Sequence, residues 1–339
     1  MIRRYKQSRI CFVGTHYALL LYLLHSSYDE IKDTYFIFGE GMDEETASRF
    51  EHKTLIRKPK IFKKNDLIGL AYSFYFRLFI LRRFSESCVL YAQDHLKDSK
   101  TVIGNKSYIL IEDSKFKCRY YRNEDPAFEE NRKVKGTLRY TIKKFFYGGT
   151  VYGVHGDNIQ CKAALMSVMD VVDYLNGKKI IVCDLKNTWN NSVNIKKNLI
   201  LDTFNFKTED IDGLSRDVII YTQPLYPDVL TKEEHIQLYK KVISYYQQND
   251  LVVKVHPRDV VDYEELFPQA YVYRKRVPSQ LLEIMGLHNK KAITFFSSAV
   301  QNIDYPIEID WYGTEVSEKL FARFGHCEAP LGSNVCTIE

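Results

Sequence analysis

The stretch LVVKVHPR (251–258) reads as a buried strand that stops at an imidazole, a proline and a guanidinium. Strand ends in open α/β sheets are where ligands bind. His256, Pro257 and Arg258, with Lys254 two residues earlier on the same strand face, make this an edge suited to an anion. A second stretch, KAITFFSSAVQNI (291–303), runs an apolar strand into Ser297 and Ser298, followed by apolar residues at helical spacing. Serine hydroxyls and the free N–H groups of a helix start form an anion site; the same serines also serve as an N-cap. Together the two stretches favour a phosphate-binding edge over a pair of unrelated turns. Arg258 has a structural alternative, pairing with Asp259 or Glu264.

Three carboxylates stand just after apolar runs: Asp228 after VIIYT (218–222), and Glu112 with Asp113 after YILI (108–111). Asp228 is otherwise a loop residue after Pro227, or an aid to the helix cap at Thr231. Pro278, in RVPSQLLEI (276–284), lines a nucleoside base or simply opens a helix, as proline at N1 often does. No DxD-type cluster accompanies these residues, so no metal is expected.

Short apolar runs alternate with helical patterns along the chain. Strands are expected at 10–13, 34–38, 88–92, 107–111, 180–183, 218–222, 251–255, 270–273 and 292–296. Helices are expected at 67–84, 133–146, 231–248, 278–286 and 297–303. The alternation predicts βαβ units and parallel sheets. In 231–248, Thr231 and Glu234 form a capping box, and Ile236, Tyr239, Val242, Ile243 and Tyr246 share one stripe. That βαβ unit brings Thr222–Asp228 and His256–Arg258 to one sheet edge. The polar region 184–216 shows no pattern. The chain is divided into an acceptor-side domain, 1–210, and a nucleotide-sugar-binding domain, 211–339.

A chain of 339 residues accommodates two domains of ordinary size. The net charge of +5 leans only mildly toward anions and excludes a nucleic-acid binder. Seven scattered cysteines without a CxxC pair indicate reduced thiols and a cytoplasmic protein. The N-terminal ICFVGTHYALLLYLL imitates a signal peptide, but Gly14–His16 break the apolar run, so a strand, a tight turn and a helix from Tyr17 are expected. The stretch 58–84 is basic at both ends and apolar between. It suits a buried helix or a dimer contact, or a membrane-surface helix near a lipid-linked acceptor.

The motifs HPR at 256–258, TFFSSA at 294–299 and EDS at 112–114, with VLYAQ at 89–93, resemble the bacterial sialyltransferases of glycosyltransferase family 52. The resemblance implies an α/β fold of the GT-B kind, with two Rossmann-like domains facing across a cleft. It also implies CMP-sialic acid as donor substrate, no cofactor, a glycan acceptor, inversion and metal independence. His256 would stabilise and protonate the leaving phosphate, and Ser297 and Ser298 would meet the CMP. Asp228, favoured slightly over Glu112 and Asp113, would be the base. The departures are Ser114, where relatives usually have glycine, and Leu225, where some place the base.

Overall fold

The computed structural model describes residues 5–57, 66–96, 98–113, 136–148, 155–169, 175, 177–297, 299–300 and 303–338. The chain forms two compact units, Met1–Thr203 and Phe204–Glu339.

The first unit carries a seven-stranded parallel sheet: β1 (Arg9–Val13), β2 (Thr34–Phe38), β3 (Lys53–Leu55), β4 (Val89–Ala92), β5 (Tyr108–Ile111), β6 (Cys161–Met166) and β7 (Lys179–Val182), in the order β3-β2-β1-β4-β5-β6-β7. After β1 the chain turns at Gly14 and enters the helix His16–His25, whose Thr15 side chain caps the Ala18 N–H. Tyr17 through Leu24 are all buried, which explains why this run imitates a leader: it is a core helix. No helix among the described residues is long and apolar enough to cross a membrane.

The second unit carries six parallel strands: β8 (Val218–Tyr221), β9 (Leu251–Lys254), β10 (Tyr271–Tyr273), β11 (Lys291–Thr294), β12 (Glu308–Trp311) and β13 (Asn334–Val335), in the order β10-β9-β8-β11-β12-β13. Thr231 and Glu234 close both halves of the expected capping box on the helix Lys232–Ile243, which links β8 to β9. Tyr239, Val242 and Ile243 from this helix pack with Leu251, Val253 and Phe295 in one buried cluster, each such burial contributing about 1.5–3 kcal/mol.

Both orders are doubly wound. Each has a switch point where successive crossovers leave in opposite directions, between β1 and β4 and between β8 and β11. Crevices at the carboxyl ends of such strands receive ligands.

Some expected elements differ. The helix expected over 231–248 stops at Ile243, and Gln248–Asp250 form a separate 3-10 turn. The helix expected over 67–84 runs from Asp66 to Phe79, followed by a 3-10 turn at Leu81–Arg83. It is amphipathic rather than buried all round: Leu70, Ser73 and Phe76 face inward while Tyr75 and Phe79 are exposed. The polar region 184–216 contains three helices, Leu185–Asn190, Asn194–Thr203 and Asp210–Leu214. Strands β3, β6, β12 and β13 have no counterpart among the expected ones.

Candidate active site

In the second unit the candidate side chains leave the ends of three adjacent strands. Thr222 and Gln223 follow β8, His256 follows β9 and Ser297 follows β11. Two polar side chains tie these ends together. Thr222, buried, accepts the His256 backbone N–H on Oγ1 at 2.9 Å. Gln223 accepts the Phe296 N–H on Oε1 at 3.0 Å, spanning the switch point, while its own N–H goes to the Tyr239 hydroxyl at 2.8 Å.

The turn after β9 is closed by the Asp259 N–H on the His256 carbonyl at 2.8 Å. Inside it, Arg258 donates its N–H to His256 Nδ1 at 3.1 Å. Nδ1 is therefore the lone-pair nitrogen, and the imidazole proton sits on Nε2 as a donor. Burial, aided by the Arg258 charge and opposed by Asp259, holds this histidine down at about 4. It is a neutral N–H donor at physiological pH, so it can stabilise a leaving oxygen by a hydrogen bond but does not hold the acidic proton expected of it from the sequence.

Asp259 is wired inward rather than to Arg258. It accepts the Tyr263 hydroxyl at 2.8 Å, and Tyr263 meets His235 Nε2 at 2.8 Å, with both rings fully buried. Glu264 pairs with Arg274 at 2.7 Å. Neither acid holds the Arg258 guanidinium, which is exposed. The Lys254 ammonium reaches the Lys275 carbonyl at 3.2 Å and lies 5.1 Å from the Tyr273 ring centre. Burial lowers it to about 8.

Ser297 donates its N–H to Thr294 Oγ1 at 3.0 Å and accepts the Ala299 N–H at 3.3 Å. Its hydroxyl therefore acts as a local turn cap, with its proton left to donate. Ser298, residues 301–302 and Ser114 lie outside the described residues, so the helix expected at 297–303 is described only at Ser297, Ala299, Val300 and Ile303, with Ala299 in a turn. Pro278 is buried and occupies the N-cap position, one before the N1 place expected, of the helix Ser279–Ile284. Asp228 and Pro227 are exposed in the loop leaving β8.

In the first unit, Glu112 and Asp113 follow β5 but differ in surroundings. Glu112 is buried, accepting the Tyr17 hydroxyl and, at 2.9 Å, the Ser167 N–H. Asp113 accepts Gln93 Nε2 at 2.7 Å and lies 3.5 Å from His95 Nε2. Gln93 also accepts the Gly14 N–H at 2.7 Å, so a glutamine bridges this switch point as well.

Sequence reasoning passed over both glutamines. Their signal is a shared pattern at strand ends, Tyr91-Ala92-Gln93 and Tyr221-Thr222-Gln223. It also passed over Asp94, His95 and His155, whose ligand atoms lie within 4.8 Å of one another. Asp94 there accepts three donors at 2.6–2.7 Å, the Tyr108 hydroxyl and the backbone N–H groups of His155 and Gly156. That is the bonding of a carboxylate that clamps a loop. Two cavities of the first unit, of about 540 and 1090 Å³, open at the amino ends of its strands, away from Gln93 and Asp113.

Comparisons with known proteins give the family and the fold. The model for glycosyltransferase family 52 matches residues 44–320. An uncharacterized protein of Haemophilus influenzae is 32% identical over 250 residues, covering 72% of this chain and 74% of that one. The GT-B domain of a Photobacterium damselae sialyltransferase superposes with a TM-score of 0.54 at 14% identity, covering 91% of this chain and 92% of that one. A Photobacterium 2,6-sialyltransferase, solved with CMP and lactose, superposes with a TM-score of 0.58 at 13% identity, covering 93% and 74%. The two doubly wound units are those of a GT-B glycosyltransferase. The chain belongs to glycosyltransferase family 52.

Proposed function

We propose that this glycosyltransferase is a metal-independent, inverting sialyltransferase that moves sialic acid from CMP-sialic acid to a hydroxyl of a bacterial surface polysaccharide or lipooligosaccharide. The observation that carries this is His256: a neutral imidazole at the end of β9, its Nδ1 occupied by the Arg258 N–H and its Nε2–H left to donate. The Photobacterium structure with CMP and lactose supports the same ligand classes here.

The acceptor oxygen bonds to the anomeric carbon as the bond from that carbon to the phosphate oxygen breaks, which inverts the centre. The phosphate passes from a diester to a monoester whose second ionisation lies near about 6. The leaving oxygen gains negative charge as the bond breaks, and the neutral His256 meets it with Nε2–H as a hydrogen-bond donor, while CMP leaves as its dianion. The Ser297 hydroxyl, Lys254 and Arg258 supply further positive potential for the phosphate. One such preorganised donor contributes on the order of 3 kcal/mol to the transition state. Asp228 takes the acceptor proton. It is an exposed carboxylate in the same unit as His256, whereas Glu112 is consumed by Tyr17 and Ser167 and Asp113 is held by Gln93.

The test is CMP release from CMP-sialic acid, with and without lactose, in EDTA, beside calorimetry with CMP, CDP, UDP and GDP. Acceptor-dependent release that survives EDTA, with CMP bound tightest, is expected. Tighter binding of UDP or GDP would refute the donor assignment, and loss of activity in EDTA restored by manganese would refute metal independence.

A further inference from the structure

The clamp on Asp94 holds more than a loop. Asp94 and His95 follow β4, and His155 belongs to the chain that leads into β6. Asp94 accepts the backbone N–H groups of His155 and Gly156, and Lys178 donates to the Gly156 and Asn158 carbonyls. Between them they fix His155 at φ +53°. That left-handed backbone suits glycine or asparagine, and holding a larger side chain there costs about 1–3 kcal/mol. Closing the loop uses only backbone atoms, so the reason for a histidine at this position lies in its ring.

The ring lies against His95, with centroids 5.1 Å apart and planes 17° from parallel. Asp94, His95 and His155 each bring a ligand atom within 4.8 Å of the other two, and no other three His, Cys, Asp or Glu among the described residues do so. Asp94 and His155 are more than nine-tenths buried, while the His95 side chain keeps 20% exposure and gives an entry from solvent. A carboxylate offers about four lone pairs. Three of those on Asp94 meet the Tyr108 hydroxyl and the two N–H groups, which leaves one. Asp113 Oδ2, 3.5 Å from His95 Nε2, adds a second carboxylate beside the imidazoles. Two imidazoles and a carboxylate are the donor set of zinc and its first-row neighbours, not of magnesium or calcium. Zinc bonds of about 2.0–2.1 Å set tetrahedral ligands about 3.3 Å apart, which small rotations of the two rings supply.

We propose that Asp94, His95 and His155 form a zinc-class metal site that fastens the chain before β6 to the end of β4. The sialyl transfer proposed above needs no metal, so the site stands or falls by itself.

Equilibrium dialysis of the EDTA-treated full chain against zinc tests it, with cobalt as a spectroscopic stand-in. One tight equivalent is expected. Cobalt should show the d–d bands of a tetrahedral site without a thiolate charge-transfer band, which separates this site from binding by cysteines. His155→Asn keeps the backbone N–H that Asp94 accepts and suits the local φ, so circular dichroism should show it folded. Its zinc affinity should fall at least about 100-fold, since even the outer partners of metal ligands are worth about 10- to 100-fold. His95→Gln should behave alike, and zinc should raise the unfolding midpoint of wild type but of neither variant. No tight equivalent in wild type, or equal zinc affinity in wild type and His155→Asn, would overturn the proposal. Transfer lost in EDTA and restored by zinc would refute metal independence and leave this site standing.

Discussion

Lys254→Met should make the protein more stable and a worse nucleotide binder. The ammonium ends β9 with one carbonyl acceptor and an aromatic face for company. Its fall from an ordinary 10.5 to about 8 corresponds to about 3.4 kcal/mol held against the charged form. The side chain keeps some exposure, water screens part of that cost, and a gain of about 1–2 kcal/mol at pH 7 is expected for the methionine variant. The sign is set by which state holds the proton longer. The folded state releases it near pH 8, the unfolded state near 10.5. Wild-type stability therefore rises with pH through that window, and the variant's advantage shrinks to nothing above it. A phosphate beside Lys254 would compensate the charge, so CMP affinity should drop about tenfold on substitution, or about 1.4 kcal/mol. Urea unfolding at pH 7, 9 and 10.5, with CMP calorimetry on the same samples, gives both readouts. A variant less stable at pH 7, or a stability difference independent of pH, would refute the buried-charge argument. Unchanged CMP affinity would remove Lys254 from the donor site.

Four further outcomes are expected. His256→Ala should lower kcat about 10²-fold or more with an unchanged melting temperature, the effect of losing one fixed donor; near-normal turnover in the folded variant would exclude the role. Asp228→Ala should keep CMP affinity and lose transfer, and normal transfer by it beside an inactive Asp113→Ala or Glu112→Ala would move the base to the first unit. Thr222→Val should cost about 1–3 kcal/mol in denaturant unfolding, because the buried His256 N–H loses its acceptor. Gly148→Ala should cost about as much: φ is +70°, and the added Cβ would fall 1.6 Å from Arg77 Nη2, breaking the tie to the preceding helix; an unchanged unfolding midpoint would show that Arg77 moves aside freely.

The strands that carry the chemistry were legible because they are buried on both faces. VIIY, LVVK and KAIT are short apolar or β-branched runs bounded by polar residues, and a parallel sheet covered by helices demands that composition. β6 escaped because CKAALM has the residues of a helix, and its strand form is imposed by β5 and β7 on either side. β3 and β13, of three and two residues, are too short for any period to show. Region 184–216 looked shapeless because its three helices, of six, ten and five residues, are short and largely polar and show no long apolar stripe. At the site, residue types marked His256 and Ser297 as candidates, and the structure places both after the strands that flank β8 in one sheet. Residue types could not show that Arg258 sets the histidine tautomer through its backbone, or that Glu112 faces Tyr17, since both facts depend on contacts between elements distant in sequence.

The chain of buried groups behind His256 sets a floor on working conditions. His235 gives its Nε2 proton to Tyr263, and its Nδ1 has no partner among the described residues. Burial depresses its proton affinity, so an unfolded chain would take up a proton near pH 6.5 that the native core refuses. Acid therefore draws the protein toward unfolding through that window, and at the segment that carries His256, through Tyr263 and Asp259. Purification, storage and crystallisation buffers belong above that range, and an activity lost on brief acid exposure would reflect a loosened turn before it reflected the titration of His256 itself.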